Sequence, residues 1–185
     1  MLLVSNHILD CGEIPLPKET VIRVNLAWLD GYKIACTKLE QIKYDIFLDN
    51  PVDRVKPPSN KYTMSQILGL VDRFPNIKYL AVSNVESGKD LTNSNYLIPY
   101  RVNIVPKIET IKGIKNIHNI ALFMDGIKEK DYIMLDHDDL CSDIIRHGLD
   151  PAIMYTDYIN PLMDFCKENN INLLRTQGVV FSTEY

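Results

Sequence analysis

The sequence of 185 residues predicts an α/β fold, a small or truncated TIM-type (β/α) barrel built on a parallel sheet. Short apolar runs alternate along the chain with amphipathic helical patterns, and this alternation is typical of βαβ units. Seven or eight strand candidates favour a barrel over an open sheet. Such barrels usually need about 250 residues, so the loops must be clipped. No repeat or linker interrupts the pattern, and we expect one domain over residues 1–185.

Each predicted strand is a near-continuous apolar run, as expected where both faces of a sheet are covered. The candidates are Leu2–Val4, Val21–Leu26, Tyr44–Leu48, Ile77–Val82, Val102–Lys107, Asp131–Asp136 and Ile171–Leu174, with Val179–Ser182 as an optional last strand. A proline-bearing loop follows the first strand, so one helix is expected to be missing there. Pro57 and Pro58 forbid regular structure and predict a loop over residues 50–60.

Four segments show the residue spacing of amphipathic helices. They are residues 29–43, residues 63–74, a segment beginning near Thr110 and a segment from about Asn160 to Asn169. Thr63 with Gln66 three residues later predicts a capping box at the start of the second helix. Pro161 suits the first turn of the last helix, because proline lacks the amide that is unpaired there anyway.

Composition and charge exclude several classes of protein. The net charge is −4 and no run of Lys and Arg exceeds a pair, so a nucleic-acid surface is not expected. No stretch reaches the length of a membrane span, and the N-terminus lacks the basic region and cleavage site of a signal peptide. The four cysteines have no metal-ligand spacing, and two of them lie in apolar helical patterns as buried thiols. We expect a cytoplasmic protein without nucleic-acid or membrane partners.

Polar residues stand at the carboxyl ends of six of the predicted strands, where the site of a parallel barrel lies. They are Arg23 and Asn25, Asp49 and Asn50, Ser83 and Asn84, Lys107 and Glu109, the run Asp136 to Asp139, and Thr176 with Gln177. This pattern predicts a functional site at one mouth of the barrel. The alternative is that these positions are polar only because loops begin there.

Glu109 and Asp139 are the best candidates for metal ligands. Carboxylates at the ends of neighbouring strands can share Mg²⁺ or Mn²⁺ and leave positions for water and a chelating oxoacid. Such a cation polarises a ketone and stabilises the enolate formed from it. The alternative is that each carboxylate caps the helix that follows it, where it interacts favourably with the helix dipole.

Arg23 and Lys107 are the candidate cationic groups. Arg23 lies within an apolar strand and needs an anionic partner, either a substrate carboxylate or phosphate or an internal one such as Asp49. Lys107 could offset the charge of an enolate or pair with Glu109 or Asp139. His137 stands among carboxylates that favour its protonated form, either as a proton shuttle or as a structural loop residue. The roles of His137 and Asp138 stay open.

Two runs of the sequence resemble the phosphoenolpyruvate/pyruvate barrel superfamily. They are VNIVPKIETIKGIKNIHNI at residues 102–120 and DYIMLDHDDLCSDIIRHG at residues 131–148. The branch of the citrate lyase β-subunit and the 4-hydroxy-2-oxoacid aldolases has an I-E-T strand end, a G-x-x-N-x-x-x-I helix and a D-L-x-x-D/E-x-G loop. These are similar to Ile108–Thr110, Gly113–Ile120 and Asp139–Asp143. The pyruvate kinase branch has K-I-E and A-T-Q strand ends, which are similar to Lys107–Glu109 and to Thr176-Gln177.

Fainter similarities join Arg23–Asn25 to the R-x-N strand end of both branches, and Ala81–Leu91 to the V-E-S-A-E-D-L turn of the lyases. The resemblance implies that Glu109 and Asp139 bind the metal, that Lys107 stabilises the enolate and that Thr176 relays a proton. It further implies that the substrate contacts are made by Arg23, Asn25 and Ser83.

The sequence also departs from both branches. The pyruvate kinase branch also has a G-D-L-G loop, to which Asp138–Cys141 is similar in part. Asp138 and Cys141 replace its two glycines, and Ser83-Asn84 replaces a Pro-Lys pair of the lyases. The resemblance therefore implies a Mg²⁺- or Mn²⁺-dependent lyase of the aldolase type, acting on a pyruvate-like oxoacid through an enolate. The alternative is a degenerate, inactive barrel that serves as a binding or regulatory module. A small-molecule oxoacid is the expected partner, and a homo-oligomer is compatible with the sequence.

Overall fold

The computed structural model describes residues 2–5, 16–50, 58–92, 97–124 and 132–175. Seven strands form one parallel sheet in which spatial order follows chain order. They are β1 (Leu2–Ser5), β2 (Thr20–Asn25), β3 (Asp45–Asn50), β4 (Ile77–Val82), β5 (Asn103–Ile108), β6 (Tyr132–Leu135) and β7 (Asn172–Arg175). The optional strand Val179–Ser182 lies outside the described residues.

Six α-helices connect or cover the strands. They are α1 (Gly31–Glu40), α2 (Met64–Arg73), α3 (Ile111–Lys115), α4 (Ile117–Leu122), α5 (His137–Arg146) and α6 (Pro151–Glu168) within the described ranges, with short 3-10 helices at Leu26–Trp28 and Gly88–Leu91. The capping box is confirmed, because Thr63 and Gln66 exchange side chain to backbone hydrogen bonds at the start of α2.

The inner face of the sheet has its own apolar cluster, which shows that the sheet is curled. Buried residues from the middle strands form it: Val21, Phe47, Ala81, Val105 and Met134. Leu3 of β1 and Leu174 of β7 both pack against this cluster, although the two strands lie at opposite edges of the sheet. Two larger clusters lie between the outer face and the helices. The predicted truncated barrel is confirmed, as a half-barrel of parallel strands.

The last helix begins earlier than predicted. Asp150 accepts a hydrogen bond from the amide of Ala152, and Pro151 occupies the first turn, so α6 begins at Pro151 rather than near Asn160. An N-cap carboxylate followed by proline is a strong helix start. Pro161 consequently lies inside the helix, and its assignment to a first turn was wrong.

A second difference concerns the acidic run after β6. One of the two alternatives for His137 was a structural loop residue, but His137 is the first residue of α5, because Asp136 caps that helix. Of the cysteines in helical patterns, Cys36 and Cys166 are both buried free thiols, as predicted. Within the described part of the chain, every helix is too short or too polar to span a bilayer.

Candidate metal centre

The mouth of the half-barrel is polar because the inward-facing residues change from apolar to polar near the carboxyl end of each middle strand. Side chains alternate between the two faces of a strand, so residues two positions apart share a face. The apolar residues of the inner cluster are each followed two positions later by a polar residue, namely Arg23, Asp49, Ser83, Lys107 and Asp136. The interior is therefore apolar below and charged at the carboxyl ends of the strands.

Three carboxylates converge at this mouth. One oxygen each of Glu109, Asp136 and Asp139 lies within 4.8 Å of the others. Ile108 of β5 pairs with Leu135 of β6, so the residues after them, Glu109 and Asp136, leave the sheet side by side. Asp139 joins them from the first turn of α5. The two ligands predicted from the sequence are thus brought together.

Asp136 was missed as a candidate ligand. It belongs to the acidic run noted in the sequence, but Asp139 alone was selected from that run. The sequence signal that could have identified Asp136 is the alternation of strand side chains between the two faces of the sheet. Asp136 stands two positions after the inward-facing Met134 and so shares its face. Asp136 also caps α5, since its Oδ1 accepts a hydrogen bond of 3.5 Å from the amide of Asp139.

The alternative that Glu109 and Asp139 serve as helix caps is not what the structure has. Thr110 caps α3 by accepting a hydrogen bond of 3.0 Å from the amide of Gly113. Asp136, rather than Asp139, is the cap of α5. Neither Glu109 nor Asp139 is thus the N-cap residue, although Asp139 lies in the first turn of α5, where a carboxylate also suits the helix dipole.

Lys107 lies at the centre of the site. Its Nζ is 2.9 Å from Glu109 Oε1, 3.7 Å from Asp136 Oδ2 and 3.4 Å from both carboxylate oxygens of Asp49. It is also 3.4 Å from Ser83 Oγ. Burial lowers the pKa of Lys107, but Asp49 and Glu109 outweigh this effect and hold the pKa above its usual value. The amine is consequently charged.

Arg23 binds Asp49, one of the two arrangements expected from the sequence. Its Nε and Nη2 lie 3.0 and 2.5 Å from Asp49 Oδ2. Burial raises the pKa of Asp49, but Lys107 and Arg23 together hold it below its usual value. Asp49 is therefore an ionised anchor for both cations, and contact between Arg23 and a substrate stays a prediction.

Glu109 is held from the side of β4 as well as by Lys107. The amide of Asn84 donates a hydrogen bond of 2.6 Å to Glu109 Oε2. Asn84 has a φ of 55°, in the left-handed region that asparagine tolerates better than most residues. Burial still raises the pKa of Glu109 above its usual value, despite Lys107 and this amide.

The other predicted residues have different surroundings. Asn25 accepts a hydrogen bond of 2.9 Å from the amide of Ala27 and so caps a 3-10 helix. Thr176 lies outside the described residues. His137 was expected to be favoured in its protonated form, and this was wrong: burial and the neighbouring Arg175 lower its pKa more than Asp136 and Asp138 raise it. Arg175 Nε donates to His137 Nε2 over 3.2 Å, as fits a neutral ring.

The donor set fits a hard divalent cation. Two cationic side chains and four carboxylates meet at the mouth, a formal excess of two negative charges. All the ligand atoms offered by the three converging carboxylates are oxygens, which Mg²⁺ and Mn²⁺ prefer. A divalent ion would balance the formal charge.

Comparisons with known proteins show the fold. No family model and no curated protein matches the sequence. Among solved structures, RipC from Yersinia pestis is 16% identical with a TM-score of 0.63, covering 99% of this chain and 76% of RipC. An HpcH/HpaI aldolase/citrate lyase family protein from Burkholderia cenocepacia J2315 is 10% identical with a TM-score of 0.64, covering 96% of this chain and 79% of that protein. At such identities, the shared feature is the truncated TIM-type α/β fold.

Proposed function

We propose that the chain is a lyase of the aldolase type that uses Mg²⁺ or Mn²⁺ and acts on a pyruvate-like oxoacid through an enolate. The observation that carries this proposal is the convergence of Glu109, Asp136 and Asp139 within 4.8 Å beside a buried lysine. The site lies at the carboxyl ends of the strands, where the active sites of parallel barrels are found.

The three carboxylates would hold the cation, with Asp136 added to the pair predicted from the sequence. With two or three protein oxygens, such a site would leave room for water and for an oxoacid on the cation. When bound, the cation supplies the Lewis acid that polarises the substrate ketone. Two of these carboxylates, Glu109 and Asp136, also lie 2.9 and 3.7 Å from Lys107 Nζ, so a substrate held there would lie near this amine.

Lys107 would provide positive charge beside the reacting carbonyl. Its charged amine is buried and oriented by Asp49 and Glu109, so it needs little reorganisation as negative charge develops on the substrate oxygen. Arg23 supports this arrangement by sharing Asp49, which keeps that carboxylate ionised. Ser83, 3.4 Å from Lys107 Nζ, is the candidate for a polar contact with substrate.

The order of the motifs and one of the similar structures also support a lyase. The I-E-T strand end and the D-L-x-x-D segment place Glu109 and Asp139 in the pattern of the lyase branch. The structure from Burkholderia cenocepacia is described as an aldolase/citrate lyase family protein. A cytoplasmic location and a homo-oligomer stay predictions from the sequence.

A binding or regulatory module is the second candidate. The observation that favours it is the pairing of Arg23 with Asp49, since an arginine already bound by a carboxylate is less available to grip a substrate anion. In that case the site would bind a cation or an oxoacid without turning it over.

Thermal unfolding with and without ligands tests the proposal. Mg²⁺ or Mn²⁺ together with pyruvate, oxaloacetate or oxalate should raise the melting temperature, because a ligand stabilises the state it binds. At about 100 times Kd the stabilisation is about 2.7 kcal/mol, which corresponds to a shift of roughly 5–10 °C for a chain of this size.

Three variants make the test specific. Glu109→Gln and Asp139→Asn should lose the shift, whereas Asp138→Asn should keep it, because Asp138 is exposed and stands outside the cluster. A wild-type protein without any shift would contradict the proposal. A shift with metal and oxoacid but no cleavage of oxaloacetate or of 4-hydroxy-2-oxoacids would favour the binding module.

A further inference from the structure

Asp143 is a buried carboxylate that the proposed chemistry does not use. Asp143 is only 5% exposed, although it is an acidic residue of α5. Asp143 Oδ2 accepts a hydrogen bond of 2.9 Å from the amide of Ile111, and Oδ1 lies 3.1 Å from Arg146 Nη2. Ile111 is the first residue of α3 and follows Glu109 by two positions. Asp143 therefore joins α5 to the segment that carries Glu109.

The same helix carries the proposed ligand Asp139. Residues four positions apart lie on one face of a helix, so Asp139 and Asp143 project from neighbouring turns of α5 in the same direction. Asp139 reaches the carboxylate cluster, and Asp143 reaches the backbone just after Glu109. One face of α5 thus lies beside the Glu109 segment over two successive helical turns, with a hydrogen bond at the second.

The bond to Ile111 also satisfies an amide that the helix itself cannot pair. The first amides of a helix have no partner within it. In α3 the amide of Gly113 is taken by Thr110, and the amide of Ile111 is taken by Asp143. Loss of the Asp143 carboxylate would leave a buried donor unpaired, and the start of α3 would have to shift to reach water.

Something must hold the carboxylates together, because like charges at this distance repel each other. Lys107 and the amide of Asn84 hold Glu109 from within the barrel. Leu140 and Ile144 fix α5 on the sheet by apolar packing, which has little directional preference. The hydrogen bond from Ile111 to Asp143 is directional, and it links α5 to the start of α3, two residues after Glu109.

We propose that Asp143 is a positioning residue that keeps Asp139 and Glu109 at the distance needed to chelate one cation. This inference rests on the proposed function. It assigns to Asp143 no contact with the cation or the substrate. Its role is to hold the site in place through the backbone at Ile111. Substitution of residues that orient metal ligands without binding the metal typically weakens metal binding about 10–100-fold.

The test is the dissociation constant for Mn²⁺, measured by electron paramagnetic resonance on the full chain without substrate. Asp143→Ala removes the acceptor and should weaken Mn²⁺ binding about 10-fold or more. Asp143→Asn keeps a carbonyl oxygen that can accept from Ile111, and its dissociation constant should stay within about 3-fold of wild type.

Substitutions of Ile111, whose amide is the donor of this hydrogen bond, test the same inference independently. Ile111→Pro removes the amide at a first helical position, where proline is accepted, and Thr110 already has the extended backbone required before proline. It should weaken Mn²⁺ binding as much as Asp143→Ala does, and the double variant should be no weaker than either single one. Ile111→Val trims the side chain but keeps the amide, and should bind like wild type.

Asp150→Ala is the control for general loss of stability. Asp150 accepts a hydrogen bond of 2.9 Å from the amide of Ala152 at the start of α6, a helix that carries none of the proposed ligands. This variant should lower the melting temperature and leave the Mn²⁺ affinity unchanged.

The outcomes separate this inference from the proposed function. A wild-type protein that does not bind Mn²⁺ overturns both. Wild-type binding that survives in Asp143→Ala and in Ile111→Pro overturns only the role of Asp143. Equal weakening in Asp143→Ala and Asp143→Asn would also overturn it, since the negative charge rather than the bond to Ile111 would then matter. If Asp143→Ala does not fold, Asp143→Asn and Ile111→Pro decide the question.

Discussion

Lys107 Nζ lies 2.9 Å from Glu109 Oε1, and both side chains are buried at the mouth of the half-barrel. The same amine contacts Asp49, so one lysine neutralises carboxylates from two strands that are not adjacent. When one partner of a buried ion pair is removed, the remaining charge loses the attraction of the opposite charge but is still kept away from water. The geometry of the site and the stability of the fold therefore depend on the same residue.

The first prediction is that Lys107→Met lowers the free energy of unfolding by about 3–5 kcal/mol, the usual cost of breaking a buried ion pair. Mg²⁺ should restore part of the loss, because it would supply the missing positive charge, and it should stabilise the variant more than wild type. Urea denaturation with and without Mg²⁺ measures both effects. Lys112→Met is the matched control, since Lys112 also pairs with a glutamate, at 2.8 Å from Glu86, but on the surface. Equal stability of the two variants would contradict the prediction.

The second prediction concerns Asn84, whose backbone conformation directs its amide at Glu109. Valine is strained at a φ of 55°, so Asn84→Val should cost roughly 1–2 kcal/mol of stability. The variant should also weaken Mn²⁺ binding, because the strand end must move to relieve the strain. Asn84→Gly keeps both the conformation and the amide, and its Mn²⁺ affinity should be unchanged.

Asn170 offers a matched control for that strain. It has the same φ of 55°, but it lies after α6 and away from the carboxylates. Asn170→Val should therefore lower the denaturation midpoint without changing Mn²⁺ affinity. The prediction fails if calorimetric titration gives the two valine variants the same Mn²⁺ affinity.

Much of the fold could be read from the sequence, because it is set by local pattern. Ile77–Val82 agrees with β4 at both ends, since the apolar run is bounded by a turn on one side and by Ser83 on the other. Pro161 was placed wrongly because helical spacing continues on both sides of it, and the start at Asp150 is a stronger determinant.

The candidate site was harder to read, because it depends on register and on distant neighbours. Glu109 and Asp139 follow from strand ends, but Asp136 becomes a candidate only when the inward face of β6 is known. Burial lowers the pKa of His137, and so does Arg175, which is 38 positions away in the chain. The residues next to His137 in the sequence include the acidic Asp136 and Asp138, and these raise its pKa.

The third prediction compares two glycines within helices. A methyl group on Gly113 would meet the carbonyl oxygen of Val85 at 2.7 Å, whereas one on Gly69 would meet the hydroxyl of Tyr32 at 2.9 Å. Alanine gains up to about 1 kcal/mol over glycine in a helix interior. At Gly69 a side chain can move, so Gly69→Ala should be neutral or stabilising. At Gly113 backbone would have to move, so Gly113→Ala should cost about 1–3 kcal/mol. Thermal unfolding of both variants checks this, and a stabilised Gly113→Ala would contradict it.

The fourth prediction is that the thiol of Cys166 is protected from alkylation in the folded protein. Burial raises its pKa to about 11. At pH 8.5 about half of the thiols of unfolded cysteines are ionised to thiolate. A thiol with a pKa of about 11 is ionised in well under one molecule in a hundred at this pH, on the order of 0.3%. Because the folded pKa lies above the unfolded one, deprotonation favours unfolding, and this contribution to stability is lost as the pH rises from about 8.5.

Iodoacetamide labelling at pH 8.5, followed by mass spectrometry, measures this protection. Cys141 is only half-buried and should be labelled before Cys166, and Cys166 should be labelled at a comparable rate only after urea is added. Cys166→Ala should flatten the decline of the urea midpoint between pH 8.5 and 10, because the group responsible for that part of the slope is gone. If Cys166 reacts as fast as Cys141 in the native protein, the apolar core around α6 does not shield it as its exposure of only 2% requires.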